Sequence, residues 1–226
     1  MQFSITWINV TEKHENCNLR YLFLIIISVF LLLKASVQAA PLTLEDSKDT
    51  YSVGSYLEIF EDKEGLLTID DITNKKAIVN FTKNSAETPS YGFTDSVFWA
   101  RLHLKNNLTT KKIWLIEMSY APLDYIELYI PDDKMKFVVK TGGDMIPFSK
   151  REIQYHNNIF NLPEHLDREL TIYFRFKTSG PMEFPLKIWS SSAFLQNVNR
   201  GTLALATLLR HHACHGILQS FYLYNG

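Results

Sequence analysis

Val-Phe-Trp-Ala-Arg-Leu-His-Leu, residues Val97–Leu104, alternates with a period of two. Phe98, Ala100, Leu102 and Leu104 fall on one side, and Trp99, Arg101 and His103 on the other. Successive side chains of a strand point to opposite faces, so this pattern builds one face for a core. The other face carries an indole and a guanidinium, groups that stack on and hydrogen-bond to a flat polar ligand. No catalytic motif competes with this stretch.

Short runs of the same kind recur on either side, separated by turn residues. Ser55–Phe60, Leu67–Asp70 and Ala77–Phe81 precede it, and a polar loop rich in Ser, Thr, Pro and Gly leads into it. Lys112–Met118 is more continuously apolar, as expected of a strand covered on both faces. In Tyr125–Ile130, Ile126, Leu128 and Ile130 oppose Tyr125, Glu127 and Tyr129. Pro131-Asp132-Asp133 turns the chain into Lys136–Val139, and Gly142-Gly143-Asp144 makes the next turn. Gln154–Phe160 is a weaker strand. Glu169–Phe176 sets Leu170, Ile172, Phe174 and Phe176 against Thr171, Tyr173 and Arg175, and Pro185–Trp189 closes the set. No apolar period of about 3.6 residues runs longer than a turn or two here, so helix is expected only at the edges. About ten short strands at this spacing predict an all-β fold, a β-sandwich of the jelly-roll kind.

Composition bounds the rest. The chain has 226 residues, of which 46% are hydrophobic, enough for a core in one ordinary domain. Its net charge is −1 at pH 7 with no run of Lys or Arg, which argues against a nucleic-acid partner. The two cysteines, Cys17 and Cys214, lie outside the expected domain, so no disulfide framework or cysteine zinc site is available to it.

Tyr21–Leu33 is uncharged and apolar, with Lys13 and Arg20 before it and Val37 and Ala39 in the small-residue positions after it. That order is a secretory signal peptide, residues 1–39, cleaved after Ala39. The run is shorter than the about 20 apolar residues of a membrane anchor. Residues 40–48 read as a linker, 49–195 as the sandwich domain, and 196–226 as a tail.

Several segments, in order, resemble one family. Gly54-Ser55-Tyr56-Leu57-Glu58 with Leu67-Thr68-Ile69-Asp70 resembles its opening, and Phe98-Trp99-Ala100-Arg101-Leu102 its central strand. Asp124–Pro131 is similar to the strand that follows, Gly143-Asp144 with Pro147-Phe148 to its turn, and Pro185–Trp189 with Ala193-Phe194 to its last strand. The family is the periplasmic sensor domain, type 2, of bacterial seven-transmembrane receptors with diverse intracellular signalling modules. The resemblance implies a jelly-roll domain related to carbohydrate-binding modules, outside the inner membrane, that senses a small-molecule ligand without catalysis. It also implies a following membrane helix. Gly201–Leu209 begins one, but Arg210-His211-His212-Ala213-Cys214-His215 interrupts it, and a central Arg costs about 2.5–3.5 kcal/mol on insertion. The tail is therefore expected to be a disrupted first transmembrane helix of a truncated receptor, with its contact to the inner membrane open.

Trp99, Arg101, Tyr125, Tyr129, Tyr173 and Arg175 all sit on the non-core register of their strands. If those strands are neighbours, the six line one face, the kind of aromatic and charged platform that holds sugars and other polar small molecules. The alternatives are a face covered by loops and an ordinary solvated sheet. No cofactor or metal is expected: His211, His212, Cys214 and His215 lack the two-pair spacing of a structural zinc site. Glu117, Asp124 and Glu127 are the carboxylates to weigh for a glycosidase, which needs two carboxyl groups about 5–5.5 Å or about 6.5–9.5 Å apart across a cleft. Asn80-Phe-Thr and Asn107-Leu-Thr match the glycosylation pattern, and in a bacterial protein, which the resemblance implies, they would be chance matches. Three functions stay open at this point: an exported ligand sensor, a non-signalling or structural exported domain, and a hydrolase.

Overall fold

The computed structural model describes residues 23, 39–74, 81–134, 136–163 and 169–201. The chain divides into two compact units, Met1–Val37 and Gln38–Gly226. Of the first, only Phe23 is described, helical and exposed. The signal peptide expected over residues 1–39 falls almost wholly outside the described residues, as do the interrupted helix after Gly201 and the His/Cys cluster.

The second unit is all-β. Its large sheet contains β1 (Leu42–Leu44), β3 (Leu57–Asp62), β4 (Thr82–Lys83), β6 (Val97–Asn106), β8 (Tyr125–Pro131), β9 (Phe137–Gly142) and β11 (Glu169–Lys177). These run in the order β4-β3-β6-β11-β8-β9, with β1 beside the far end of β6. The small sheet contains β2 (Thr50–Ser52), β7 (Trp114–Met118), β10 (Asn158–Asn161) and β13 (Leu186–Ser190), in the order β10-β7-β13-β2. A separate pair, β5 (Ser90–Phe93) with β12 (Pro181–Glu183), completes the strands. The pairing is nested: β2 with β13 and β7 with β10 in one sheet, β6 with β11 and β8 with β9 in the other. Leaving aside β1, β3 and β4, the outermost strands β2 and β13 meet and the pairs work inward on alternating sheets, which is the jelly-roll connection.

Phe98, Ala100, Leu102 and Leu104 of β6 and Leu170, Ile172, Phe174 and Phe176 of β11, with Leu57, Ile59, Ile126, Leu128 and Ile130, meet Trp114, Ile116, Met118, Phe160, Leu186 and Ile188 of the small sheet in one core. This is the core face read from the alternation, and one residue of slip on any of these strands would turn it to the outside. Two glycines are sterically required. A Cβ on Gly54 would lie 1.9 Å from the Glu87 carbonyl oxygen, and Gly143, at φ +119°, packs its Cα against the Asp124 carbonyl.

Three expectations change. Residues 40–48, expected to be a linker, include β1, whose Leu42 and Leu44 are buried in the core and which pairs parallel to β6. Leu67–Asp70, expected to be a strand, instead starts helix α1 (Ile69–Thr73). Thr68 accepts from the Asp71 N–H, and the Asp71 carboxylate accepts from the Thr68 N–H, a reciprocal cap that satisfies donors a strand would have left to a ladder. Ser55–Phe60 begins as a 3-10 turn, Gly54–Tyr56, so that β3 starts at Leu57. Ala77–Phe81 lies outside the described residues except for Phe81. Residues 191–201 form a second helix, α2. Its Phe194 packs with Leu115, Ile159, Trp189, Tyr155 and Val198 on the outer face of the small sheet.

Candidate functional site

The outer face of the large sheet collects all six residues singled out above. The register sets Tyr173 of β11 opposite Arg101 of β6 and Tyr129 of β8, and Arg175 opposite Trp99 and Glu127. Tyr125 stands opposite Lys177 at the end of the same ladder. On the other side of β6, Glu58 and Phe60 of β3 pair with Arg101 and Trp99. One contiguous patch results, and its inner half is closed. Trp99 is 0% exposed, Arg101 7% and Tyr173 9%. Tyr129 and Arg175 are half-buried, and Tyr125 is 42% exposed.

The cover comes from the chain between β3 and β4. Asp62 accepts from the N–H groups of Gly65 (2.9 Å) and Leu67 (3.0 Å), folding the chain back over the sheet. Ile72 of α1, with Leu67, Ile69, Phe60 and Phe81, then packs on Trp99, Val97 and Tyr173 as a second, smaller core. The Trp99 Nε1 is buried there with no hydrogen-bond partner among the described residues.

At the open end, Tyr129 lies 5.6 Å from Trp99 between ring centroids, and the Arg175 guanidinium sits 5.8 Å over the same indole. Glu127 Oε2 accepts from the Tyr129 hydroxyl (2.8 Å) and from Arg175 Nη1 (3.4 Å). Arg175 Nη2 reaches the Gly65 carbonyl at 3.4 Å, tying the open end to the cover. Burial, then the neighbouring Glu127, pushes the Tyr129 phenol well above its ordinary value, so it stays a donor.

At the closed end, Glu58 accepts from Arg101 Nε through one oxygen and from the Ala39 N–H (2.7 Å) through the other. The Arg101 guanidinium also lies 4.5 Å over the Phe81 ring. Burial alone would raise the Glu58 carboxyl; the Ala39 amide and Arg101 outweigh it and hold the group below its usual range. His103 Nδ1 contacts the Thr171 hydroxyl at 2.8 Å, and Nε2 lies 3.6 Å from Glu58. Burial, reinforced by Arg101, lowers the His103 pKa, so the ring is neutral at neutral pH.

A family model described as 7TMR-DISM extracellular 2 matches residues 54–190, more than half of the chain. The chain belongs to the 7TMR-DISM extracellular 2 family. Among curated proteins no relative matches it. The 7TMR-DISM extracellular 2 domain is the extracellular sensor domain of seven-transmembrane receptors, which makes this an exported domain with ligand binding as its general task. The domain is in general non-catalytic. Among the described residues no helix is long and apolar enough to cross a membrane.

The carboxylates weighed for hydrolysis are dispersed. Glu117 points to the outer face of the small sheet, where Asn157 Nδ2 (2.6 Å) and Trp189 Nε1 (2.7 Å) donate to it. Glu127 is on the outer face of the large sheet, and Asp124 accepts from the Ser179 N–H in a loop. Glu117 and Glu127 therefore face away from each other across the whole sandwich, and no shared cleft brings them within the spacing a glycosidase needs. Sequence reasoning missed Glu58, Phe81 and the enclosing role of Ile72. Glu58 was findable, since it alternates with Leu57 and Ile59 and so shares the outer register.

Proposed function

We propose that this domain is the ligand-sensing part of an exported receptor and that it takes a small polar ligand, of the carbohydrate class, on the outer face of its large sheet. The observation that carries this is the contiguity of Tyr125, Tyr129 and Arg175 around Glu127, with Trp99, Arg101 and Tyr173 behind them. Phenol and indole rings supply stacking area, and the carboxylate and guanidinium supply a paired acceptor and donor for hydroxyl groups. Tyr125, Tyr129 and Arg175 make the first contacts; Trp99 backs Tyr129 and Arg175. Export by a signal peptide cleaved after Ala39 belongs to the same reading, and the unit boundary after Val37 supports it.

The test is a thermal-shift screen of the protein against sugars and envelope metabolites. A ligand that raises Tm for the wild type leaves Arg175→Ala and Tyr129→Ala unmoved. A shift of full size in both variants removes the site assignment. A second reading has its own observation, the complete enclosure of Trp99 beneath Ile72. On that reading the patch is a packing face, no sugar shifts Tm, and Trp99→Ala lowers stability without touching any ligand response.

A further inference from the structure

Ala39 is 2% exposed, and its N–H is one of the donors that hold the buried Glu58 carboxylate. The next two residues, Ala40 and Pro41, are exposed, and Leu42 is anchored in the core. Ala39, Ala40 and Pro41 form one wall of a cleft of about 600 Å³, and His103, Leu104, Glu169, Leu170 and Thr171 form the rest. We infer that Glu58 is a seat for a primary ammonium group, filled in the processed protein by the α-ammonium of Ala40. The inference rests on cleavage after Ala39.

Cleavage hydrolyses the Ala39–Ala40 peptide bond with one water. The carbonyl carbon of Ala39 takes the hydroxyl and leaves with the signal peptide as a carboxylate. The nitrogen stays on Ala40, loses its acyl partner and takes up protons to become an ammonium at neutral pH. Glu58 Oε1 thereby loses its donor, and a buried carboxylate stripped of a hydrogen bond is costly. The new ammonium begins one residue away, about 3.8 Å along the chain. It is carried by the two exposed residues that lead from Leu42 back to the space Ala39 vacates. The groups facing that space are Glu58 itself, Arg101 on its other oxygen, His103 and Glu169, with Tyr173 beside Glu58, Lys83 of β4 opposite Glu58 and Lys105 of β6 opposite Glu169. Seated there, the ammonium ties the start of the processed chain to β3 and β6 and pins β1 in register.

The test uses the full chain exported by a bacterial host. Mass spectrometry reads the first residue of the mature protein, and an amine-selective reagent then labels the α-amine over a pH series, folded and in urea. The expected first residue is Ala40. In the folded protein its amine titrates at least about one unit above the roughly 7.7–8.0 of a free α-amine, so the unprotonated fraction near neutral pH falls about tenfold. Glu58→Gln returns the titration to the free value. Folded and unfolded wild type are compared directly, so the result does not depend on how the variant folds. A first residue other than Ala40 overturns the inference together with the cleavage reading. Ala40 with the same titration folded and unfolded overturns the inference and leaves the cleavage reading standing.

Discussion

Glu58 and Arg101 form a buried ion pair on a sheet face, with both side chains almost inaccessible. Such a pair adds little over a well-packed apolar replacement, but removing one partner strands a charge. Arg101→Met is therefore expected to cost about 3–5 kcal/mol in urea unfolding. Adding Glu58→Gln to it costs less than the sum of the two single changes, because the second removes the stranded charge. The same cluster sets a pH dependence. The folded-state pKa values of His103 and Glu58 both lie below their unfolded values. The unfolded chain then binds more protons, and stability falls as pH drops. The His103 contribution is intact above about 6.5 and is lost as pH falls through its folded value. The Glu58 contribution is lost lower, beginning near its unfolded value of about 4.3. His103→Gln flattens the upper part of a Tm-against-pH curve and leaves the lower part. The polar partners of this cluster were only half legible. Alternation put Arg101 and His103 on one face, but the pairing of β3 with β6 comes from a contact more than forty residues apart, which no local pattern encodes.

At the scale of elements, α1 decides how much of the outer face of the large sheet is covered. It spans five residues, too few to be stable alone, so Ile72 packing on Trp99 and the Thr68–Asp71 cap must hold it in place. Ile72→Ala is expected to cost about 2–4 kcal/mol and to open the indole, seen as a red shift and faster acrylamide quenching of Trp99 emission. Quenching unchanged from wild type would mean that the cover does not depend on this contact. The sequence also contains a helix-start sign here, a threonine followed three residues later by an acid ahead of an apolar residue. Read as alternation, Leu67-Thr68-Ile69-Asp70 looks like a strand; read as a cap, it starts a helix. Burial of Trp99 was not legible, because a two-residue period tells which face a side chain takes and not what lies over that face.

For the whole molecule, the jelly roll was legible from strand count and alternation, since inward and outward registers on β6, β8 and β11 match the sequence reading. The short strands β1, β2, β5 and β12 were not, because three or four residues carry too little periodicity. Nearly every pairing joins distant parts of the chain, so refolding is expected in the millisecond-to-second range when followed by stopped-flow fluorescence. The last strand has a mechanical consequence. β13 lies inside its sheet, with β7 on one side and β2 on the other, and α2 follows it directly. A pull along the axis of β13 loads it in shear against two neighbours at once, where an edge strand would have one ladder to hold it. Tension applied on the C-terminal side thus enters the small sheet at an internal strand held by two ladders, and β13 is the strand that must bear it.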